Sequence, residues 1–225
     1  MRLRDLLRPV RGGRRTTRTG IFVGVVGPDG SGKTTLARAI EARCAYDGRP
    51  FGYVHWRPSP LRPPRAVADE GAVVPKLSKL EEPSTVAKLL SPLRLLRSAL
   101  LFDLAYLCQI RPRVASGSVV IADRWAYNYV LQPYSVRYYG SPRLARLICR
   151  YLVTRPTLLI ALVADPAVIA RRKVELSIGA IADELARVAE VAPFLRIEIL
   201  DGDRSPAELA DEVFNLVPTS RPMPR

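Results

Sequence analysis

Short apolar runs alternate along this chain with segments in which apolar residues recur every three or four positions. The runs are rich in β-branched residues and are followed by turn-forming residues, which is typical of strands buried on both faces of a sheet. Five strands are predicted in this way, at residues 21–26, 51–56, 118–122, 157–163 and 195–200.

The segments between these runs are predicted to be helices, because their apolar residues fall on one side of a helix. The predicted helices cover residues 33–47, 92–110, 142–153, 166–173, 180–192 and 205–216. In the second of them, five leucines share one face: Leu93, Leu96, Leu100, Leu104 and Leu107. Alternating strands and helices predict an α/β fold, a three-layer α/β/α sandwich around a five-stranded parallel sheet.

A length of 225 residues, of which 48% are hydrophobic and 25% charged, suits one globular domain and excludes a disordered or fibrous chain. We expect this domain to cover residues 20–217, between a basic tail of residues 1–19 and a C-terminal tail of residues 218–225. Residues 57–92 contain seven prolines, so they are expected to form a loop at the carboxyl end of the second strand.

The net charge of +14 indicates an anionic partner. The basic tail supplies almost half of this charge. Seven arginines stand in residues 1–18 against one acid, Asp5. With Leu3, Leu6, Leu7 and Val10 this tail has a weakly apolar side that could contact an anionic membrane or RNA. A frayed basic extension is the simpler interpretation, and we favour it.

The chain carries no sign of export or of a membrane span. Its longest uninterrupted apolar run, residues 158–164, is far shorter than the ~18 residues that a spanning helix needs. Cys44, Cys108 and Cys149 are odd in number and widely spaced, so they predict neither a disulfide framework nor a zinc site. Arginines interrupt the N-terminal region where a secretory signal would be apolar. We therefore expect a cytoplasmic protein.

The strongest chemical signal is the segment GPDGSGKT at residues 27–34, which fits the pattern GxxxxGK[ST] between a strand and a helix. It predicts a P-loop NTPase that binds ATP and Mg²⁺. Lys33 is expected to reach the β- and γ-phosphates as a catalytic residue, and Thr34 to offer its hydroxyl to the metal. The expected nucleotide-binding residues are Gly27, Asp29, Gly30, Ser31, Gly32, Lys33, Thr34 and Thr35. A glycine-rich turn without a ligand is the alternative.

Three acidic or basic residues are expected around this loop. Asp29 would repel bound phosphates, so we expect it to point outward, where it either binds hydroxyls of the acceptor or caps the turn. Asp123 and Arg124 directly follow the third strand. Asp123 would hold the metal shell, and Arg124 would bind an acceptor phosphate through its planar fork. A surface ion pair is the alternative for this pair.

Two further groups of residues complete the predicted site. Arg171 and Arg172 end the helix at residues 166–173 and are expected to be catalytic residues of a mobile lid that neutralises the transferring phosphoryl group. Solvated cations at a helix end are the alternative. Arg57, after the second strand, is expected to bind the acceptor, whereas His55 is more often a packing residue.

Three segments together resemble the thymidylate kinase family and its bacterial relatives: GPDGSGKTT from Gly27, residues 100–114 running into VVIADRW, and DPAVIARR from Asp165. The similarity covers about residues 20–217. It implies that Asp29 contacts the nucleotide sugar and that Asp123 and Arg124 bind the acceptor phosphate. It also implies that Arg171 and Arg172 serve catalysis, as lid arginines do in members without an arginine in the phosphate loop.

The chain departs from that family where the base would bind. Residues 56–59 read WRPS where the family has Arg-Glu-Pro-Gly, and residues 103–109 lack the arginine that recognises the base. We expect a kinase that transfers phosphate from ATP to a nucleoside monophosphate, most simply dTMP. A sugar or glycan acceptor and a nucleotide-dependent nucleic-acid-binding switch are the alternatives. The expected partner is a small-molecule phosphate acceptor rather than nucleic acid, and a homodimer stays open.

Overall fold

Five parallel strands form one sheet in the order β2-β3-β1-β4-β5. The strands are β1 Ile21–Val26, β2 Phe51–His55, β3 Val119–Asp123, β4 Leu158–Val163 and β5 Glu198–Asp201. Val23 of the central strand lies opposite Ile121 on one side and Leu158 on the other. The predicted α/β fold with a parallel five-stranded sheet is confirmed.

This computed structural model describes residues 19–55, 64, 67, 84–172 and 177–217. The C-terminal tail, Arg57 and all of the basic tail except Thr19 therefore lie outside the described residues. None of the described helices combines the length and the apolarity needed to cross a bilayer. All three cysteines are described and are free thiols; Cys44 and Cys149 are buried and Cys108 is exposed.

Nine α-helices connect or flank the strands in the described part of the chain. They are α1 Lys33–Tyr46, α2 Thr85–Leu89, α3 Ser91–Ala105, α4 Arg111–Ala115, α5 Asn128–Leu131, α6 Pro142–Tyr151, α7 Pro166–Arg172, α8 Ile178–Leu195 and α9 Pro206–Leu216. One turn of π-helix, Tyr106–Ile110, joins α3 to α4.

Helices cover both faces of the sheet, an arrangement compatible with three layers. On one face, Leu36 of α1 and Leu209 of α9 share a core cluster with Val25. On the other face, the ring of Trp125 packs edge-on against Phe22 and Phe102, with centroids 5.3 and 4.8 Å apart. Buried residues of α6 and α8 complete this second cluster.

The fifth strand begins three residues later than predicted. Helix α8 continues to Leu195, which is buried, and Arg196 ends it in the left-handed conformation at φ 52°. The apolar Leu195 and Ile197 were therefore assigned to a strand that begins only at Glu198. The predicted loop of residues 57–92 was also too long, because its last part contains α2.

The five leucines predicted on one face of the helix at 92–110 do share a face of α3 and its π-helical turn, but that face points away from the sheet. Leu93 and Leu100 are 64% and 65% exposed, whereas Leu95 and Phe102 are 1% and 4% exposed. The helix is apolar on two sides, and the side that contains Ala99 packs on the core. Leucine spacing identifies a face but does not say which face is buried.

Candidate functional site

A cleft of about 540 Å³ opens at the carboxyl ends of the strands, where parallel sheets bind their ligands. Its walls are the glycine-rich loop between β1 and α1 with the first turn of α1, the end of β3, the last turn of α7, and the loop between β5 and α9. The central position of β1 in the sheet places its loop beside β3 and β4 at once.

The glycine-rich loop, residues 27–32, requires glycine at its tightest point. Gly27, Gly30 and Gly32 all have positive φ, at 133°, 92° and 97°, a region that favours glycine. A Cβ on Gly27 would lie 2.5 Å from the carbonyl oxygen of Leu162. The loop therefore packs directly against β4, and it cannot move away from the strand ends without losing that contact.

Lys33 lies under the loop that precedes it and is only 7% exposed. Its Nζ donates hydrogen bonds to the carbonyl oxygens of Gly27 (2.9 Å) and Pro28 (2.7 Å). Thr34 and Thr35 follow it at the cleft wall, in the first turn of α1, whose backbone N–H groups have no partner within the helix. The structure thus brings seven of the eight predicted nucleotide-binding residues to one wall; Gly27, at the start of the loop, does not line the cleft.

Asp29 does not point outward, contrary to the expectation from its charge. Its carboxylate forms an ion pair with the guanidinium of Arg124 and lies 3.6 Å from Nζ of Lys33. The expectation considered only repulsion from a phosphate, whereas two cations stand closer to Asp29 and attract its carboxylate across the cleft.

Asp123 is buried at the end of β3, with 3% exposure. Its Oδ2 accepts a hydrogen bond from the hydroxyl of Tyr53 (2.9 Å) and lies 3.3 Å from Nδ1 of His55. Burial raises the pKa of Asp123, but the hydrogen bond from His55, the charge of Lys33 and the Tyr53 hydroxyl together lower it below its usual value. The carboxylate is therefore ionised at neutral pH.

The second oxygen of Asp123, Oδ1, is buried and has no hydrogen-bond partner among the described residues. Ser31 Oγ is in the same condition in the glycine-rich loop. Buried polar atoms are normally paired, so these two atoms, which belong to residues that line the cleft, are unsatisfied polar groups beside it.

Arg124 is held from two directions. Its Nη1 donates to Oε1 of Gln132 (3.1 Å), opposite the ion pair with Asp29. Gln132 in turn donates from Nε2 to Oε1 of Glu184 (2.6 Å), a carboxylate that is 4% exposed on α8. Burial raises the pKa of Glu184, although the hydrogen bond from Gln132 and the charges of Lys33 and Arg124 oppose this. We call these four residues the Arg124 relay: Asp29, Arg124, Gln132 and Glu184.

The two predicted lid arginines are not equivalent. Arg172 lines the cleft, and its Nη2 lies 3.1 Å from Oδ1 of Asp203. Arg171 is exposed and is not among the described residues of the cleft wall. Arg57, the predicted acceptor-binding arginine, lies outside the described residues.

Sequence reasoning missed the loop between β5 and α9, where Gly202, Asp203 and Arg204 line the cleft. A Cβ on Gly202 would lie 2.8 Å from the carbonyl oxygen of Ser31, so this loop touches the glycine-rich loop through backbone atoms. The turn residues at 201–203 follow a predicted strand, and the position of strand ends in a parallel sheet was enough to place them here. Tyr53, Gln132 and Glu184 had no such signal, because isolated polar residues occur throughout helices and strands.

The cleft combines cationic side chains with one buried carboxylate. Lys33, Arg124, Arg172 and Arg204 line it, together with Asp29, Asp203 and the buried Asp123, which is the last residue of β3. No protein-family model matches the chain, and no curated protein matches it. A cleft of this size that contains four cationic side chains beside a helix N-terminus can bind a molecule with several phosphate groups.

Proposed function

We propose that this protein is an ATP- and Mg²⁺-dependent kinase with a P-loop NTPase fold. It transfers the γ-phosphoryl group of ATP to a nucleoside monophosphate, most simply dTMP, as the thymidylate kinases that its motifs resemble do. The observation that carries the proposal is the cleft itself, in which the loop at residues 27–34 stands opposite buried Asp123 and the fork of Arg124. In phosphoryl transfer, cationic side chains of this kind neutralise phosphate charge and a carboxylate holds the metal ion.

The donor phosphates are proposed to bind against the glycine-rich loop and the N-terminus of α1. Lys33 then gives up part of its hydrogen bonding to the carbonyl oxygens of Gly27 and Pro28 and forms ion pairs with the β- and γ-phosphates. Arg172 approaches the γ-phosphate from the opposite side after releasing Asp203. Both cations neutralise charge on the transferring group, since this chemistry depends mostly on positioning and charge stabilisation.

Magnesium fits the residues that are present. In the part of the chain that the structure describes, three or more Asp, Glu, His or Cys side chains do not cluster into a metal cage. Mg²⁺ in kinases, however, is commonly held by one or two carboxylates together with substrate phosphates and water. The unpartnered Oδ1 of Asp123 and the hydroxyl of Thr34 match that donor set. When bound, the ion would be held by Asp123 and Thr34 and would supply positive charge that helps to neutralise the phosphates.

The acceptor is proposed to bind on the side of Arg124. Its phosphate displaces the carboxylate of Asp29 from the guanidinium, and an acceptor oxygen attacks the γ-phosphorus while the bond to the bridging β,γ oxygen breaks. ADP leaves with that electron pair. Asp29, once displaced, is free to accept hydrogen bonds from acceptor hydroxyls, which reconciles its inward position with its proposed role.

A sugar or glycan hydroxyl is the second candidate acceptor. It is favoured by the relay, because Asp29 and Gln132 already occupy two sides of the Arg124 fork. The absence of the arginine that reads thymine in the family points the same way.

The proposal is tested by measuring ADP release in a coupled assay with Mg²⁺, ATP and a panel of nucleoside monophosphates and simple sugars. Turnover with dTMP or another monophosphate is the expected result. Turnover with sugars alone would keep the kinase and change its acceptor. A chain that binds no ATP and releases no ADP with any acceptor would refute the kinase itself.

A further inference from the structure

We propose that Tyr53 is a positioning residue for the metal site: its hydroxyl holds one oxygen of Asp123, Oδ2, so that the other oxygen, Oδ1, is left to bind Mg²⁺. The inference rests on the proposed function, because the metal belongs to that site. It adds a task for a buried side chain that does not line the described cleft and is not proposed to touch either substrate.

The two oxygens of the Asp123 carboxylate have unequal surroundings. Oδ2 accepts a hydrogen bond from the hydroxyl of Tyr53 (2.9 Å) and lies 3.3 Å from Nδ1 of His55. Oδ1 is buried and has no hydrogen-bond partner among the described residues. If the two neighbours served only to satisfy a buried carboxylate, one of them would be expected at each oxygen. Both contact the same oxygen instead, and Oδ1 is left for a ligand from the cleft that Asp123 lines.

The sheet places both neighbours beside Asp123. In the parallel pairing of β2 with β3, His55 lies opposite Asp123 and Tyr53 lies opposite Ile121. Side chains two residues apart on a strand stand on the same face of the sheet. The rings of Tyr53 and His55 are accordingly stacked, with centroids 6.3 Å apart. Both side chains therefore reach the last residue of β3 from the neighbouring strand.

Tyr53 is the firmer of the two restraints on the carboxylate. It is 9% exposed, and its ring belongs to the core cluster that also contains Leu36 and Ile121. The side chain of His55, in contrast, is 42% exposed. A side chain that is already ordered by packing loses little further rotamer freedom when it holds a neighbour. The hydroxyl of Tyr53 is thus a fixed donor at the end of β3.

A single available oxygen suits magnesium. Mg²⁺ is commonly bound by one or two carboxylates together with phosphates and water, whereas Ca²⁺ also accepts carboxylates through both oxygens. Because Oδ2 is already engaged by Tyr53 and His55, Asp123 can hold a cation through one oxygen only. Residues that orient a metal ligand in this way matter for binding, and their loss typically lowers metal affinity by about 10- to 100-fold.

The experiment is calorimetric titration of the full chain with ATP, once in Mg²⁺ and once in EDTA, for wild type and for Tyr53→Phe. We expect Mg²⁺ to tighten the binding of ATP to wild type. Tyr53→Phe keeps the buried ring, so its Kd for ATP in EDTA should not change. The ratio of Kd in EDTA to Kd in Mg²⁺ should fall by about tenfold or more. Since Mg²⁺ binds free ATP equally in both titrations, this fall measures the metal affinity of the protein–ATP complex.

Tyr138→Phe is the matched control, because it removes the same hydroxyl from another buried tyrosine. Tyr138 is 2% exposed, donates to the carbonyl oxygen of Ser141 (2.9 Å) and does not line the described cleft. Its loss should leave the ratio of the two Kd values unchanged. Urea unfolding of both variants measures the cost in stability separately from the effect on the metal.

A double-mutant cycle tests whether Tyr53 acts through Asp123. Asp123→Asn is expected to lower the ratio by itself, because an amide oxygen is a weaker ligand for Mg²⁺ than a carboxylate oxygen. In the Asp123→Asn background, Tyr53→Phe should cause no further fall, since residues that act as one unit are not additive.

The possible results separate this inference from the proposed function. An unchanged ratio in Tyr53→Phe, or an equal loss of ATP affinity in EDTA and in Mg²⁺, would overturn the role of Tyr53 and leave the kinase standing. A loss that persists in full in the Asp123→Asn background would overturn it as well, because the hydroxyl would then act by another route. A wild-type chain that binds ATP under neither condition would refute the kinase, and the metal site with it.

Discussion

The two sides of the cleft are constructed in different ways. The proposed donor side is one continuous segment, residues 27–34, in which Lys33 binds carbonyl oxygens only five and six residues away. The proposed acceptor side is assembled from side chains that are far apart in sequence: Tyr53, His55, Asp123, Arg124, Gln132 and Glu184. We expect substitutions on the donor side to affect the chemical step and substitutions on the acceptor side to affect selectivity.

The largest effect is expected for Lys33→Ala. It should lower kcat by ~10³ or more, because it removes charge next to the transferring phosphoryl group. Lys88→Ala, at an exposed position of α2, is the matched control and should keep wild-type turnover. Steady-state kinetics measures kcat, and circular dichroism checks that the variant keeps its fold. If Lys33→Ala keeps wild-type turnover at saturating Mg²⁺ and ATP, the proposed role of Lys33 and its loop in phosphoryl transfer is wrong.

Substitutions of the two predicted lid arginines should differ in their effect on kcat, because only Arg172 lines the described cleft. Arg172→Ala is expected to lower kcat by ~10² to 10³ with a smaller change in ATP affinity, by analogy with arginine fingers. Arg171→Ala should change kcat by less than about tenfold, since Arg171 does not line the described cleft. Single-turnover rates for both variants decide the matter. Equal losses of kcat would contradict this difference and would give Arg171 the same role as Arg172.

The difference between the two sides also explains what the sequence could predict. A motif of eight consecutive residues encodes the glycine-rich loop, and local apolar runs encode the sheet, so both were predictable. Gln132 and Glu184 are separated by 52 residues and meet only because α8 packs beside α5. No local pattern specifies such a meeting.

The orientation of α3 was unpredictable for a related reason. It has apolar residues on two faces, and the one that packs on the core carries Ala99 and Phe102, whose ring contacts Trp125. The direction of Asp29 depended likewise on Arg124, a residue 95 positions away that the loop sequence does not contain.

A third prediction concerns Arg124, at the centre of the acceptor side. Arg124→Ala should raise the acceptor KM by about tenfold or more while changing the ATP KM less, because a charged hydrogen bond to phosphate is lost. Without a thymine-reading arginine, discrimination among pyrimidine monophosphates is expected to be weak. Competition titrations with dTMP and other pyrimidine monophosphates measure both. An unchanged acceptor KM in Arg124→Ala would mean that the guanidinium does not bind the acceptor and only forms its contacts with Asp29 and Gln132.

The smallest effect is expected at the far end of the relay, where Glu184 reaches the cleft only through Gln132 and Arg124. Because burial raises the pKa of Glu184, the folded chain binds this proton more tightly than the unfolded chain, whose value is near 4.5. The stability that Glu184 contributes is therefore fully present below pH 4.5 and is lost as the pH rises through the raised folded value.

Glu184→Gln removes that titration and keeps an oxygen that can accept the hydrogen bond from Gln132. The free energy of unfolding of the variant, relative to wild type, should therefore increase with pH above 4.5 and then level off. Urea unfolding across this range measures it. Glu190→Gln, which removes an exposed carboxylate of the same helix, tests whether the slope belongs to the buried group. A flat difference for Glu184→Gln would mean that the relay tolerates the ionised carboxylate without cost, and that Arg124 and Lys33 compensate its burial completely.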